Sequence, residues 1–224
     1  ETLEIGGQLP EAMVALVGGG DISTPEGWYQ IETFGLMAPI AVMLVTIAVG
    51  AGALAGEESR RTMGLLLANP ISRARIIYEK SWSMVLLAFA IGFSTFAGVA
   101  LGSAVADMGI NVWNIAATCL LQVLVGLVFG ALALALSAGT GRTKIAIFGA
   151  IGVALAFHLL NSFAALSDTM ARWAKFSPFH YYLGSDPLIN GMDWGNAAIL
   201  AGLTLGLIGL SVILFQRRDI RQTG

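Results

Sequence analysis

Groups able to act as nucleophile, acid, base or metal ligand are sparse in this chain of 224 residues, which holds two histidines, His158 and His180, and a single cysteine, Cys119. No Ser-His-acid order, paired carboxylates or His-x-x-His spacing accompanies either histidine, so hydrolytic and metal chemistry lack the groups they need. Cys119 sits in an apolar run and reads as a small packing residue; alone it supports no internal disulfide. His158, with Asn161 and Ser162 nearby, is the strongest polar cluster in an otherwise apolar stretch. It reads either as part of a substrate path or, the reading we favour, as a set of hydrogen bonds between helices; Gln122 reads the same way. His180 stands among aromatics and reads as structural. Gly139-Thr140-Gly141-Arg142-Thr143-Lys144 looks like a phosphate-binding loop, yet it lacks the Gly-x-x-x-x-Gly-Lys-Ser/Thr order and joins two apolar runs, so no nucleotide site is expected here.

The most informative charged segment runs from Glu57 to Lys80. It predicts a helix, a break and a second helix: Glu57 and Glu58 at the first N-terminus, Leu65, Leu66 and Leu67 on an apolar side, a stop at Asn69-Pro70, then Ser72 as N-cap for a turn bearing Arg73 and Arg75. Such an amphipathic helix could receive force from a soluble partner, or lie on anionic lipid, where each Lys or Arg contributes about 1 kcal/mol near the surface.

The elements that position these residues are membrane spans. The chain is 56% hydrophobic and 12% charged, with a mean hydropathy of +0.78, so its solvent is lipid. A bilayer core about 30 Å thick needs about 20 apolar residues of helix. Stretches at 34–55, 82–106, 113–137, 145–166 and 197–215 meet that length and contain no Asp, Glu, Lys or Arg. Proton relays and ion-coupled carriers need ionisable groups at depth, so secondary transport is disfavoured. The fold class is an all-α polytopic membrane protein.

Of the 12 Lys and Arg residues, all but Arg172 and Lys175 fall on the side of the Glu57–Lys80 segment, which marks that side and the tail 216–224 as cytoplasmic. Trp28, Tyr29, Trp82, Trp113 and Trp194 stand near span ends as interfacial anchors. Five spans with an inner C-terminus place Glu1 outside, and imply a sixth span ahead of it. Residues 1–33 then form an outer loop with short helices, one after Pro10 and one capped by Thr24 with Pro25 at its first position. The outer segment 167–195 carries Trp173, Phe176, Phe179, Tyr181 and Tyr182 around Pro178, too aromatic for a flexible linker. It is expected in the interface or re-entering against protein. Gly-x-x-x-Gly spacings at Gly52/Gly56, Gly98/Gly102, Gly126/Gly130 and Gly202/Gly206 permit close helix packing.

The order Glu57-Glu58, Arg60-Arg61-Thr62, Leu65-Leu66-Leu67, Asn69-Pro70-Ile71-Ser72-Arg73, Ile76-Ile77 and Lys80 resembles the first cytoplasmic loop of the type-two ABC exporter permeases. Ser177-Pro178-Phe179-His180-Tyr181-Tyr182, Gly191-Met192-Asp193-Trp194 and the tail Phe215-Gln216-Arg217-Arg218-Asp219-Ile220 are similar to the same family. So are Leu9-Pro10-Glu11-Ala12 and Thr24-Pro25-Glu26-Gly27. The resemblance covers most of the chain, missing the first of the family's six spans. One departure is Met63-Gly64, where the family has Leu-Glu, so Glu57 or Glu58 would supply the acid.

The resemblance implies a permease subunit in the plasma membrane of a prokaryote, paired with an identical or different permease. It also implies a separate ABC ATPase subunit that holds the ATP and Mg²⁺. This chain itself would have no cofactor, no metal, no nucleic-acid partner and no catalytic residue; its partners would be the ATPase, the second permease, lipid and an unidentified cargo. Glu57, Glu58, Arg60, Arg61, Arg73 and Arg75 would make the polar contact with the ATPase, and Leu65 to Leu67 the apolar one. The alternatives are a membrane-embedded lipid-modifying enzyme using His158 or His180, and a noncatalytic membrane scaffold.

Overall fold

The computed structural model describes residues 23–59, 72–166 and 168–218, with side chains described for all of these except 165, 166 and 168. Among them, five helices are long and apolar enough to cross a membrane: α1 Pro25–Gly52, α3 Arg73–Val105, α4 Val112–Thr140, α5 Thr143–Ser162 and α9 Trp194–Arg217. A short α2, Ala55–Ser59, follows α1, and a 3₁₀ turn, Phe163–Leu166, follows α5. Three short helices, α6 Asp168–Ala174, α7 Pro178–Leu183 and α8 Pro187–Asn190, link α5 to α9. The five spanning helices correspond to the five apolar runs, but the short helix expected to start at Pro25 in the loop before the first span is continuous with that span, because no breaker separates Tyr29 from Phe34. The expected helix after Pro10 and the break at Asn69-Pro70 lie outside the described residues.

Helix ends follow local chemistry. Thr24 Oγ1 accepts from the Gly27 amide at 3.1 Å with Pro25 at the first position, and Ser72 Oγ accepts from the Arg75 amide at 3.3 Å. The α3 helix therefore begins at Arg73, inside the charged segment and ahead of the apolar run at Trp82. Gly141, in the lookalike phosphate loop, is left-handed with φ 63° and ends α4 through its amide on the Ser137 carbonyl.

The helices are apolar all round, so their sequences do not tell which is central. The structure places α4 there: 78% of its apolar window is buried, against 22% for α3 and α5, 28% for α9 and 50% for α1. It packs against α1, α3, α5 and α9, and also meets α7 and α8. In lipid, association comes from close packing rather than from hydrophobic transfer. A tight seam joins α1 to α4, where a methyl group on Gly50 would strike the Gly130 carbonyl and one on Gly126 would strike Val42. Thr46 Oγ1 crosses this seam to the Gly126 carbonyl at 2.8 Å. Of the Gly-x-x-x-Gly spacings, Gly126/Gly130 is the one packed at both glycines; nothing lies within 4 Å of Cβ positions built on Gly52, Gly56, Gly98, Gly202 or Gly206. Leu86, Phe89 and Phe93 on α3, Phe148 and Leu155 on α5 and Leu205 on α9 are exposed, as lipid or a second subunit requires.

Candidate functional site

The two ends of the bundle differ in chemistry. One gathers Glu57, Glu58, Arg73, Arg75, Lys80, Arg142, Lys144, Arg217 and Arg218 on α2, at the start of α3, at the α4–α5 junction and at the end of α9. Three of these charges, Glu58, Arg73 and Arg218, form a clamp in series. Arg73, the first residue of α3, donates from Nη1 to the carbonyls of Phe215 and Arg218, each at 2.9 Å, and its guanidinium carbon lies 5.5 Å from the centroid of the buried Phe215 ring. It thus occupies the C-terminus of α9, whose last carbonyls have no partner in their own helix. Arg218, just past that terminus, does the same for α4: its Nη1 donates to the carbonyls of Ala138 at 3.2 Å and Ser137 at 3.4 Å. Its Nη2 pairs with Glu58 Oε2, in a contact about four-fifths buried on both sides. Ser137 Oγ ties in the end of α1, accepting from the Ala55 amide at 3.0 Å and donating to the Ala51 carbonyl at 2.9 Å.

Glu57 accepts from Lys80 Nζ at 2.9 Å, so α2 is held to α3 as well. Arg75 stays out of the clamp: it is exposed and pairs with Glu79 one turn on, at 2.8 Å. Among the proposed coupling residues, Glu57, Glu58 and Arg73 therefore bond to other elements of the chain, while Arg75 is exposed and pairs along its own helix. Arg60, Arg61, Leu65, Leu66 and Leu67 lie outside the described residues. Arg218 and Ser137 were missed as site residues, because nothing local in the tail or in α4 shows that they meet. Beside the clamp an open cleft of about 1100 Å³ is lined by residues including Glu57, Lys80, Ser83, Arg142 and Lys144.

At mid-bundle, Gln122 is fully buried; its Nε2 donates to the Ala38 carbonyl at 3.0 Å and to Thr95 Oγ1 at 3.4 Å, joining α4 to α1 and α3, while its Oε1 is buried without a hydrogen-bond partner. His158 stands elsewhere, on an apolar groove of about 240 Å³ between α1 and α5 that Pro39, Met43, Ile151 and Leu155 also line. Its ring meets Phe179 edge-on at 5.2 Å. Asn161, half-buried, is one turn further along α5 and does not line that groove. Gln122 and His158 are thus not brought together.

The other end is held by the aromatic segment. Phe179 and Tyr182 on α7 are buried against the bundle, and Ser177 Oγ, which caps α7, also donates to the Phe157 carbonyl at 3.1 Å. Tyr182 Oη donates to the Phe34 carbonyl at 3.0 Å. Burial pushes the Tyr182 phenol well above its ordinary range, so it remains a donor at any ordinary pH. Asp186, left-handed at φ 48°, accepts from Gln30 Nε2 at 3.1 Å. His180 rests edge-on against Tyr181 at 5.3 Å. Among the described residues, no three His, Cys, Asp or Glu side chains converge as a metal site would require.

No curated protein matches the chain. The family described as "ABC-2 family transporter protein" matches residues 8–220, which takes in all five spanning helices. A bundle of apolar helices with one basic, clamped end is what that match covers, and the chain belongs to the ABC-2 transporter family, as a multi-pass permease subunit of an ABC transporter.

Proposed function

We propose that this permease works as an exporter, driven from its basic end by a separate ATPase subunit that engages the segment between Glu57 and Lys80. The observation that carries the reading is the clamp. The segment leaves from α2 and returns as α3, and Glu58 and Arg73, near its two ends, are bonded to the termini of α9 and, through Arg218, of α4. Force applied to it reaches the central helix and the last helix through charge-assisted hydrogen bonds rather than through a loose loop. On this reading Glu58 and Arg73 transmit, while Arg75, Arg60, Arg61 and Leu65 to Leu67 make the contact. Glu57 braces α2 on Lys80.

The basic end is then cytoplasmic, the host membrane is a prokaryotic plasma membrane, and a second permease, identical or different, completes the pathway. ATP and Mg²⁺ belong to the ATPase. His158, on the α1–α5 groove, would either line the cargo path or, the reading we favour, make contacts between helices.

The test is to extract the tagged full-length subunit in mild detergent and identify co-purifying proteins by quantitative mass spectrometry. Near-equal amounts of a nucleotide-binding ATPase are expected. Reproducible absence of one would overturn the proposal and bring forward the enzyme and scaffold alternatives.

A further inference from the structure

The first span is a helix with an irregular turn. Residues Gln30–Met37 wind as a π-helix between two α-helical stretches, and the Ala38 amide donates to the Thr33 carbonyl, five residues back. Pro39 follows at once and has no amide hydrogen to give. In the five-residue register its missing donor orphans the Phe34 carbonyl, and that is the carbonyl to which Tyr182 donates its hydroxyl. In the ordinary four-residue register the Ala38 amide would turn to Phe34, the orphan would move to Gly35, and the Tyr182 hydroxyl would lose its place on a helix carbonyl.

A second bond from the same outer segment, Gln30 to Asp186, holds the start of the π-helical stretch. On its far side, Gln122 from the central helix donates to the Ala38 carbonyl. The irregular turn is thus supported by side chains from elsewhere at both ends and at its missing donor. π-Turns inserted in α-helices recur at functional sites, and kinks are sited where a proline removes a backbone bond.

We propose that Tyr182 is a register lock: its hydroxyl selects the five-residue turn in the first span, and its withdrawal lets residues 30–37 pass to the four-residue turn. At 3.6 residues per turn, loss of the extra residue rotates everything before Gln30 by roughly 100° relative to the rest of the span. Movement of α7 is thereby coupled to rotation of the outer end of α1, which carries Trp28 and Tyr29. This inference stands apart from the ATPase reading and does not need it.

The experiment is hydrogen–deuterium exchange on the purified full chain in lipid nanodiscs, comparing wild type, Tyr182→Phe, Pro39→Ala and the double variant. Losing the Tyr182 bond brings the two registers closer in energy, and amides open as the turn passes between them, so Tyr182→Phe should speed exchange of amides 30–38 by about tenfold while amides of α4 are unchanged. Pro39→Ala supplies the missing donor from the backbone, so in that background Tyr182→Phe should have no effect on the segment. Unchanged exchange in Tyr182→Phe would overturn the proposal. So would a rise that Pro39→Ala fails to cancel, since phenylalanine would then be acting by loosening the packing alone.

Discussion

Glu58 and Arg218 are 160 residues apart in sequence and meet as a largely buried ion pair that joins the helix after the first span to the end of the last. Neither residue is adjacent to the other's helix in the chain, so the pair reports on tertiary closure of the basic end. Glu58→Gln and Arg218→Gln should each destabilise the chain by about 1.5–3 kcal/mol, the range for a hydrogen bond to a charged group. Because the pair shares one contact, the double variant should cost clearly less than the sum of the singles. Thermal unfolding in detergent or nanodiscs measures it, and additive losses would show that the contact contributes nothing as a pair.

Arg75 gives the opposite contrast. Its pair with Glu79 is exposed and within one helix, so Arg75→Ala should change stability by less than about 0.5 kcal/mol. If Arg75 contacts the ATPase, the same change should lower transport and stimulation of ATP hydrolysis several-fold. Wild-type stimulation by the Arg75→Glu form would remove Arg75 from the coupling surface.

Glycine packing is checked by two alanines. Gly126→Ala places a methyl group against Val42 in the α1–α4 seam and should cost about 1–3 kcal/mol by overpacking. Gly202→Ala meets nothing within 4 Å and, being a better helix former, should be neutral or slightly stabilising. Equal effects at the two positions in a thermal-shift series would contradict the packing described for α4.

Gln122 is a less obvious case. Its two hydrogen bonds stabilise the bundle, yet its buried Oε1 has no partner and costs about 1–3 kcal/mol for that reason. Gln122→Met fills a similar volume without polar atoms and should therefore change stability by less than about 1 kcal/mol. A loss several times larger in the same thermal-shift series would mean that Oε1 has a partner in the membrane.

Tyr182 fixes a dependence on pH. Its phenol holds its proton to higher pH in the folded chain than in the unfolded one, whose tyrosines release theirs near 10.0. The stability it contributes is therefore complete below pH 10 and is lost as pH rises beyond, by at most about 1.4 kcal/mol per pH unit. Tyr182→Phe should show a shallower alkaline decline than wild type in the same unfolding series, and coincident slopes would contradict the burial.

Much of this architecture could be read from residue types alone. The five spans followed from apolar length, and the helix starts at Pro25 and Arg73 followed from Thr24-Pro25 and from Ser72, because spans and caps are local properties. The π-helical register of Gln30–Met37 could not be read. It depends on Tyr182, which lies 148 residues away from Phe34 in the chain. Likewise Arg73 and Glu58 carry charge visible in the sequence, but their bonds to α9 and Arg218 exist only after the termini have been brought together. Uniformly apolar helices also carry no stripe to show which of them is central, so the place of α4 had to come from the fold.

That place bears on how the protein is made. α4 emerges third among the described spans, before α5 and α9, two of its four spanning neighbours, have been synthesised. With a mean hydropathy of 2.5 over its apolar window and no charged residue, it is stable in lipid before those partners arrive. Gln122 bonds to Ala38 and Thr95, both on earlier spans, so it can be covered as soon as α4 inserts. The order of the chain thus delivers the core of the bundle ahead of the helices that enclose it.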